Sequence, residues 1–581
     1  MPITRRKFLK QSALATAAVG LGTLAPGCRS LSDSAAEGVP PGSSRTFGIA
    51  PGPFQPKWES LVDYQTPDWF RDAKFGIWAH WGPQCQPEQG DWYARRMYLS
   101  SVRRGQPDLT GASGPDADYT YHLKNYGPQS KFGFKDVINT WKAEKWDPEH
   151  LIGLYKRAGA KYFCSLANHH DNLDLWDSKY QSWNSVAVGP KKDLVGGWAK
   201  AARAAGLRFA VSIHAAHSWS WYEPSQSSDR TGPYAGVPYD GNMTKADGKG
   251  LWWEGLDPQE LYAQNHPPGK DQNTSDIWDW PTDGKCTIPP AAYCEKFFNR
   301  TIDLIDKHDP DLVYFDDTIL PLYPISDVGL RIAAYLYNRS ILTKGRLEAV
   351  LTGKVLKTEE QLKSIVWDYE RGSPPNMLPH PWQTDTCIGN WHYQRSIFEQ
   401  HKYKTANTVA HTLVDNVSKN GNLQLNIPLP GNGEPDTDEL KFLADFTVWM
   451  DRNNEGIYAS RPWKIYGEGP STRPNAGAAV RAQGFNEGTT TFGTQDIRFT
   501  QKNGTLYAYA MAWPADGKLI VKSLAVGAGV VPGKVERVEM LGVGAPLPFT
   551  QDADGLSVTL PAEKIGDYVF GFKISGNGLT V

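Results

Sequence analysis

The feature that most constrains this chain is a recurring unit in which a helical pattern leads into a short apolar run that stops on a polar side chain. Residues 74–79 run into His80, residues 162–167 into Asn168-His169-His170-Asp171, and residues 207–213 into His214. Leu312-Val313-Tyr314-Phe315 stops on Asp316-Asp317, and residues 365–369 stop on Glu370. The intervening helices carry their own punctuation. Asp147-Pro148 supplies a cap and a first-turn proline ahead of Leu151, Leu154 and Tyr155; residues 194–205 are closed by Gly206; residues 291–307 lead into the turn chemistry of Lys307-His308-Asp309-Pro310. Helix alternating with apolar strand, with polar groups gathered at the strand C-termini, is what a parallel α/β barrel produces, and that rim is where such barrels put their chemistry. The sequence therefore predicts a (β/α) TIM-like barrel with three histidine-bearing strand ends beside two carboxylate-bearing ones.

Alternation along a strand separates the two acids of the fourth run: Tyr314 and Asp316 share one face, Phe315 and Asp317 the other. An aspartate after a strand can also cap a helix, and Asp317 keeps that structural reading. Further on, residues 330–344 read as helix, 347–352 as strand, 405–419 as helix and 421–427 as the closing strand. Residues 381–393, which include Asp385, Trp391 and His392, are too polar and aromatic for a core element and read as a functional loop. Residues 222–290, rich in Gly, Pro, Asp and Asn, form a long insertion expected over or beside the rim.

After Trp463 the pattern changes to short alternating strands with turns such as Lys502-Asn503-Gly504 and Ala515-Asp516-Gly517, which predicts a C-terminal antiparallel β-sandwich. At the other end, Arg5-Arg6-Lys7-Phe8-Leu9 precedes an Ala- and Gly-rich apolar segment, as in a twin-arginine export signal, and Leu24-Ala25-Pro26-Gly27-Cys28 resembles a lipobox. The segment is too short and too weakly apolar to span a membrane. The organisation is thus signal peptide 1–30, linker 31–56, barrel 57–462 and sandwich 463–581, in a protein exported by a bacterium to the periplasm or, lipidated on Cys28, to the cell surface. Beyond Cys28 there are Cys85, Cys164, Cys286, Cys294 and Cys387, an odd number with no zinc-like spacing; Cys286 and Cys294 could pair, but buried free thiols are ordinary core residues.

A net charge of -2 gives no reason to expect nucleic acid, whereas 22 Trp and 26 Tyr lean towards a sugar, whose C–H face lies well on an aromatic ring. The residues together resemble the α-L-fucosidases of glycoside hydrolase family 29 over roughly residues 58–470. The similarity is carried by an ordered set: Lys74 to Gly82, Asp91-Trp92-Tyr93, Ala158-Gly159-Ala160-Lys161-Tyr162, His169-His170-Asp171, Leu175-Trp176-Asp177-Ser178, Trp183-Asn184-Ser185, Gly189-Pro190-Lys191-Lys192-Asp193, Tyr314-Phe315-Asp316, Val417-Ser418-Lys419-Asn420-Gly421-Asn422 and Arg461-Pro462-Trp463. The resemblance implies a barrel followed by a β-sandwich, retaining exo-hydrolysis of terminal α-L-fucose from glycans, and no metal or organic cofactor.

It also implies roles. Asp316 falls on the nucleophile position; His80, Asp91, Trp92, His169, His170 and Tyr314 fall on sugar-holding positions, with Trp391 on the aromatic wall. His214 is added from its place at a strand end. A retaining enzyme needs a second carboxyl about 5 to 5.5 Å away. Glu370, at the end of its strand, is the expected acid/base, with Asp385 as the alternative; Arg371 beside Glu370 would favour its charged form. Three histidines and a carboxylate could instead hold zinc, but an extended backbone would send His169 and His170 to opposite sides and the neighbouring tryptophans suit a sugar. Two departures bear on substrate: Asp91 stands where the family often has Glu, and Tyr314 where it often has Trp. Alternatives are therefore a same-fold hydrolase for α-L-galactoside or sulfated fucan ends, and a sugar-binding protein without catalysis.

Overall fold

Eight parallel strands close into a barrel in sequence order: β1 Phe75–Ala79, β2 Tyr162–Asn168, β3 Arg208–Ile213, β4 Leu312–Thr318, β5 Val350–Lys354, β6 Val366–Glu370, β7 Trp382–Cys387 and β8 Gly421–Asn426, with β8 returning to β1. The computed structural model describes residues 48–100, 114–263, 266–269, 280, 286–472, 486–488, 490–527 and 529–581. The export signal, Cys28, most of the linker and part of the 222–290 insertion lie outside the described residues.

The punctuation works as expected. Asp147 caps the helix Pro148–Arg157, its carboxylate accepting from the His150 N–H at 2.9 Å. Helices Leu194–Ala204 and Ala291–His308 lead into β3 and β4. Lys307 and His308 belong to the last helical turn, and the turn proper begins at Asp309, whose backbone is left-handed at φ +42°. The fourth strand continues through both acids to Thr318, so neither caps a helix.

Two strands differ from expectation. The fifth starts three residues later than the sequence suggests and continues through Gly353 to Lys354. A Cβ at Gly353 would stand 2.2 Å from the Ile319 carbonyl oxygen, so only glycine lets the segment leaving β4 pass this close to β5. The expected functional loop at 381–393 is in its first half β7, every residue of which is buried. Its polar side chains are accommodated because the barrel interior carries a hydrogen-bonded column: Tyr162 Oη donates to Gln383 Oε1 at 2.8 Å, and Gln383 Nε2 donates to Asp368 Oδ1 at 3.0 Å.

Beyond the barrel, β9 Arg461–Glu468, β10 Ile497–Lys502, β11 Thr505–Ala510, β12 Lys518–Val521, β13 Lys534–Met540, β14 Phe549–Asp552, β15 Gly555–Thr559 and β16 Phe570–Asn577 form two antiparallel sheets, ordered β13-β16-β11-β10-β9 and β12-β15-β14. They enclose a separate apolar core that includes Trp463, Phe499, Val538 and Phe572. Trp449 and Tyr509 tie this unit to the barrel by hydrogen bonds to Val569 O and Asn453 O. A short segment from it reaches the barrel mouth, where Glu487 pairs with Arg371 at 3.3 Å, accepts from Thr386 at 2.7 Å and meets Lys404. The five described cysteines, Cys286 and Cys294 among them, are buried thiols outside any disulfide.

Candidate active site

The C-terminal ends of the strands bring the sequence-derived candidates to one place. Asp316 on β4 is the centre: its Oδ2 lies 3.3 Å from His214 Nδ1 and 3.4 Å from His170 Nε2, and its Oδ1 lies 2.7 Å from Lys354 Nζ. Burial alone would raise this carboxyl, but Lys354 and the two imidazoles outweigh it and hold Asp316 well below the usual carboxylate range. Lys354 Nζ continues to Glu370 Oε2 at 2.8 Å and to Asp385 Oδ2 at 3.5 Å. Contacts of 2.7 and 2.8 Å to one ammonium keep the nearest oxygens of Asp316 and Glu370 no more than about 5.5 Å apart, close enough for both carboxyls to reach one glycosidic bond.

Lys354 was not among the candidates, because the sequence reading ended its strand at Thr352. The lysine is buried, which by itself would strip its proton; the surrounding Asp316, Asp385, Glu370 and Asp368 reverse this and hold it well above its usual value. Arg371, expected beside Glu370, takes a left-handed backbone at φ +49° and pairs with Glu487 instead. The cation that faces Glu370 is therefore Lys354.

Asp385 lies deeper. Its side chain is 1% exposed, and Oδ2 accepts the Tyr314 hydroxyl at 2.7 Å. Burial raises its carboxyl, with Lys354 opposing; Asp368, hydrogen-bonded to it, is raised further by burial and by the Asp385 charge. Asp317 points to the other side, where His217 Nε2 meets it at 2.7 Å.

Around the carboxylates is a cup of rings. His80 packs 4.6 Å from Trp78, 5.7 Å from Trp391 and 4.9 Å from His169 between ring centroids. His169 and His170, expected on opposite sides, lie 4.5 Å apart between centroids: β2 ends at Asn168 after a register shift against β3, so strand alternation no longer applies to them. Trp92, 6.3 Å from His170 and 6.2 Å from Trp221, sits at φ +69°, a strained setting for a bulky residue that its neighbours hold in place. His80 and His169 are pushed well below the ordinary imidazole value, first by burial and then by neighbouring histidines, and burial pulls His214 down to about 4 against the hydrogen bond that it donates to Asp316. These rings are neutral at pH 7, each able to donate from one nitrogen and accept at the other.

Two groups have ligand atoms close enough to consider a metal: His80, Asp91, His169 and His392, and His169, His170 and His214. Gln84 limits both. Its Oε1 accepts the Ala94 N–H and its Nε2 donates to Asp171, so the same amide nitrogen donates to His169 Nδ1 at 2.8 Å. That contact places the His169 proton on Nε2, the nitrogen facing the cup, where a hydroxyl acceptor fits and a metal does not. His392, also absent from the candidates, donates from Nδ1 to Asp91 Oδ1 at 2.7 Å. Its position in an aromatic-polar segment was visible in the sequence, but its partner lies far away in the chain.

A closed parallel barrel with two carboxylates on one ammonium, inside a cup of neutral imidazoles and indoles, defines a barrel glycoside hydrolase. The chain belongs to the alpha-L-fucosidase family: the family profile matches residues 44–455, and that of the alpha-L-fucosidase C-terminal domain matches residues 490–575. It is similar to the tissue alpha-L-fucosidase of Rattus norvegicus, 25% identical with 89% of this chain and 91% of the relative covered, and to the alpha-L-fucosidase of Dictyostelium discoideum, 22% identical over 90% and 95%. Among solved structures, the Thermotoga maritima alpha-fucosidase in complex with fucose has the same fold at a TM-score of 0.61, 23% identity, with 90% of this chain and all of that one covered.

Proposed function

We propose that the protein is a retaining exo-α-L-fucosidase acting on terminal α-L-fucose of oligosaccharides or polysaccharides, with Asp316 as nucleophile and Glu370 as acid/base. The observation that carries this reading is the pair of carboxylates at strand ends β4 and β6, both held by Lys354 Nζ. Asp316 is kept ionised and is free to attack an anomeric carbon. Glu370 is the better-placed proton donor because Asp385 is buried deeper and engaged by Tyr314.

Lys354 fits both half-reactions. In the first, Asp316 carries the negative charge on Lys354 while Glu370 gives its proton to the leaving oxygen. Once Asp316 is esterified to the sugar its charge is gone, and the ammonium stabilises the newly ionised Glu370, which then takes a proton from the attacking water. One cation thus serves each carboxylate in turn. The cup supplies donors and acceptors for the hydroxyls through His80, His169, His170 and His214, and apolar walls through Trp92, Tyr314 and Trp391. Release of nitrophenol from the nitrophenyl α-L-fucoside, nearly abolished in Asp316→Ala and partly restored by azide, tests the reading; full activity in that variant rules it out.

Export is part of the proposal and rests on Arg5-Arg6 ahead of the apolar segment and on Cys28 in a lipobox-like context. Periplasmic or membrane-fraction activity that is lost when both arginines become lysine supports it, and palmitate labelling lost in Cys28→Ala would mark the anchor.

A further inference from the structure

We propose that His392 is a sugar-recognition residue, fixed by Asp91 as a hydrogen-bond acceptor, and that with His169 it reads one secondary hydroxyl of the fucose as donor and acceptor at once. The inference rests on the fucosidase reading above and deepens it. His392 lies in the loop after β7 and Asp91 in the longer loop after β1; both side chains reach the cup, and the Asp91 carboxylate, an acceptor only, receives the His392 Nδ1–H at 2.7 Å. The ring proton is thereby committed to Nδ1. His392 Nε2 is left as an acceptor, buried and without a hydrogen-bond partner among the described residues.

The neighbour has the opposite polarity. Gln84 donates to His169 Nδ1, so His169 presents an N–H at Nε2. The two rings stand 4.7 Å apart between centroids at 85°, with His80 4.6 Å from His392. A hydroxyl is the group that satisfies such a pair, since it accepts from one nitrogen and donates to the other. Water can meet the same pair in the free site, and a ring-bound secondary alcohol replaces it atom for atom while resting on the surrounding indoles; a carbonyl ligand, which only accepts, would leave His392 Nε2 unpaired. A buried acceptor left unpaired is costly, so a ligand that supplies the missing proton gains what one lacking that hydroxyl forfeits. Asp91 acts through His392 and is a positioning residue.

The test measures both turnover of the nitrophenyl α-L-fucoside and calorimetric binding of L-fucose and its 2-, 3- and 4-deoxy derivatives, in the full chain and in His392→Ala, Asp91→Ala and Asp91→Asn. The inference expects His392→Ala to weaken L-fucose binding by about 10- to 100-fold, mostly as a rise in KM with a smaller change in kcat, while one deoxy derivative binds variant and parent alike within about twofold. Asp91→Ala should behave like His392→Ala, and Asp91→Asn, which keeps an oxygen for Nδ1–H, should recover much of the loss. An equal loss on all four sugars, or no loss on L-fucose, overturns the assignment of His392 while leaving the fucosidase reading intact. Absence of both turnover and L-fucose binding in the parent protein sinks that reading instead, and this inference with it.

Discussion

The ammonium of Lys354 lies 2.7 Å from the carboxylate of Asp316, at the C-terminal end of the neighbouring strand, and both side chains are largely buried. It is the strongest of the influences that keep Asp316 ionised against burial. Removing it has a definite sign. In Lys354→Met the folded-state value of Asp316 rises, a smaller share is ionised at mildly acidic pH, and the acid limb of kcat/KM moves up by about 1 to 3 pH units. A pH profile of wild type and variant checks this, and superimposable acid limbs would remove Lys354 from the account.

Glu370 and Asp385 are separable by leaving group. General acid catalysis is worth about 10²- to 10⁴-fold, and it matters little when the leaving group is already a weak base. Glu370→Gln should therefore lose far more activity on a fucosyl disaccharide than on the nitrophenyl fucoside. Asp385→Asn, which alters the Tyr314 contact and not the departing oxygen, should slow both substrates alike. The reverse pattern would make Asp385 the acid/base.

His214 offers a direct reading of the cup. Burial pulls it down to about 4, so as pH falls through 6.5 it stays neutral and protonates only near 4. Ring nitrogen shifts in a histidine-labelled sample, assigned by loss of the signal in His214→Gln, should move near pH 4; movement centred near 6.5 would show an exposed ring.

Asp317 has the structural role. Its buried contact with His217 at 2.7 Å implies that Asp317→Ala removes a buried hydrogen-bonding partner and costs about 1 to 3 kcal/mol of stability. Denaturant unfolding should show the loss while the folded enzyme keeps nearly wild-type kcat. A variant of normal stability and no activity would give Asp317 a place in the chemistry.

The barrel was legible because its strands are buried on both faces and its helices begin and end on ordinary signals such as Asp147-Pro148 and Gly206. Asp316, Glu370, His80, His169, His170 and His214 were legible for the same reason: each ends or follows an apolar run. What escaped was set by long-range packing. The fifth strand reads from sequence as ending at Thr352, because the place of Gly353 depends on the close passage of Ile319, and Lys354 was lost beyond it. Trp382–Cys387 looked like a loop because its polar residues find partners on other strands, and those partners are invisible to a local pattern. The convergence of His169 and His170 depended on where β2 stops, and His392 depended on Asp91, 301 positions away.

The central claim is a covalent fucosyl-enzyme on Asp316. Incubation with a 2-deoxy-2-fluoro fucosyl donor bearing a good leaving group slows both steps but spares the first enough to accumulate the ester. Peptide mass spectrometry of the trapped protein should then find the fluorosugar on the peptide containing Asp316, with none in Asp316→Ala. Turnover without any labelled peptide, or the label on Glu370, would contradict the account.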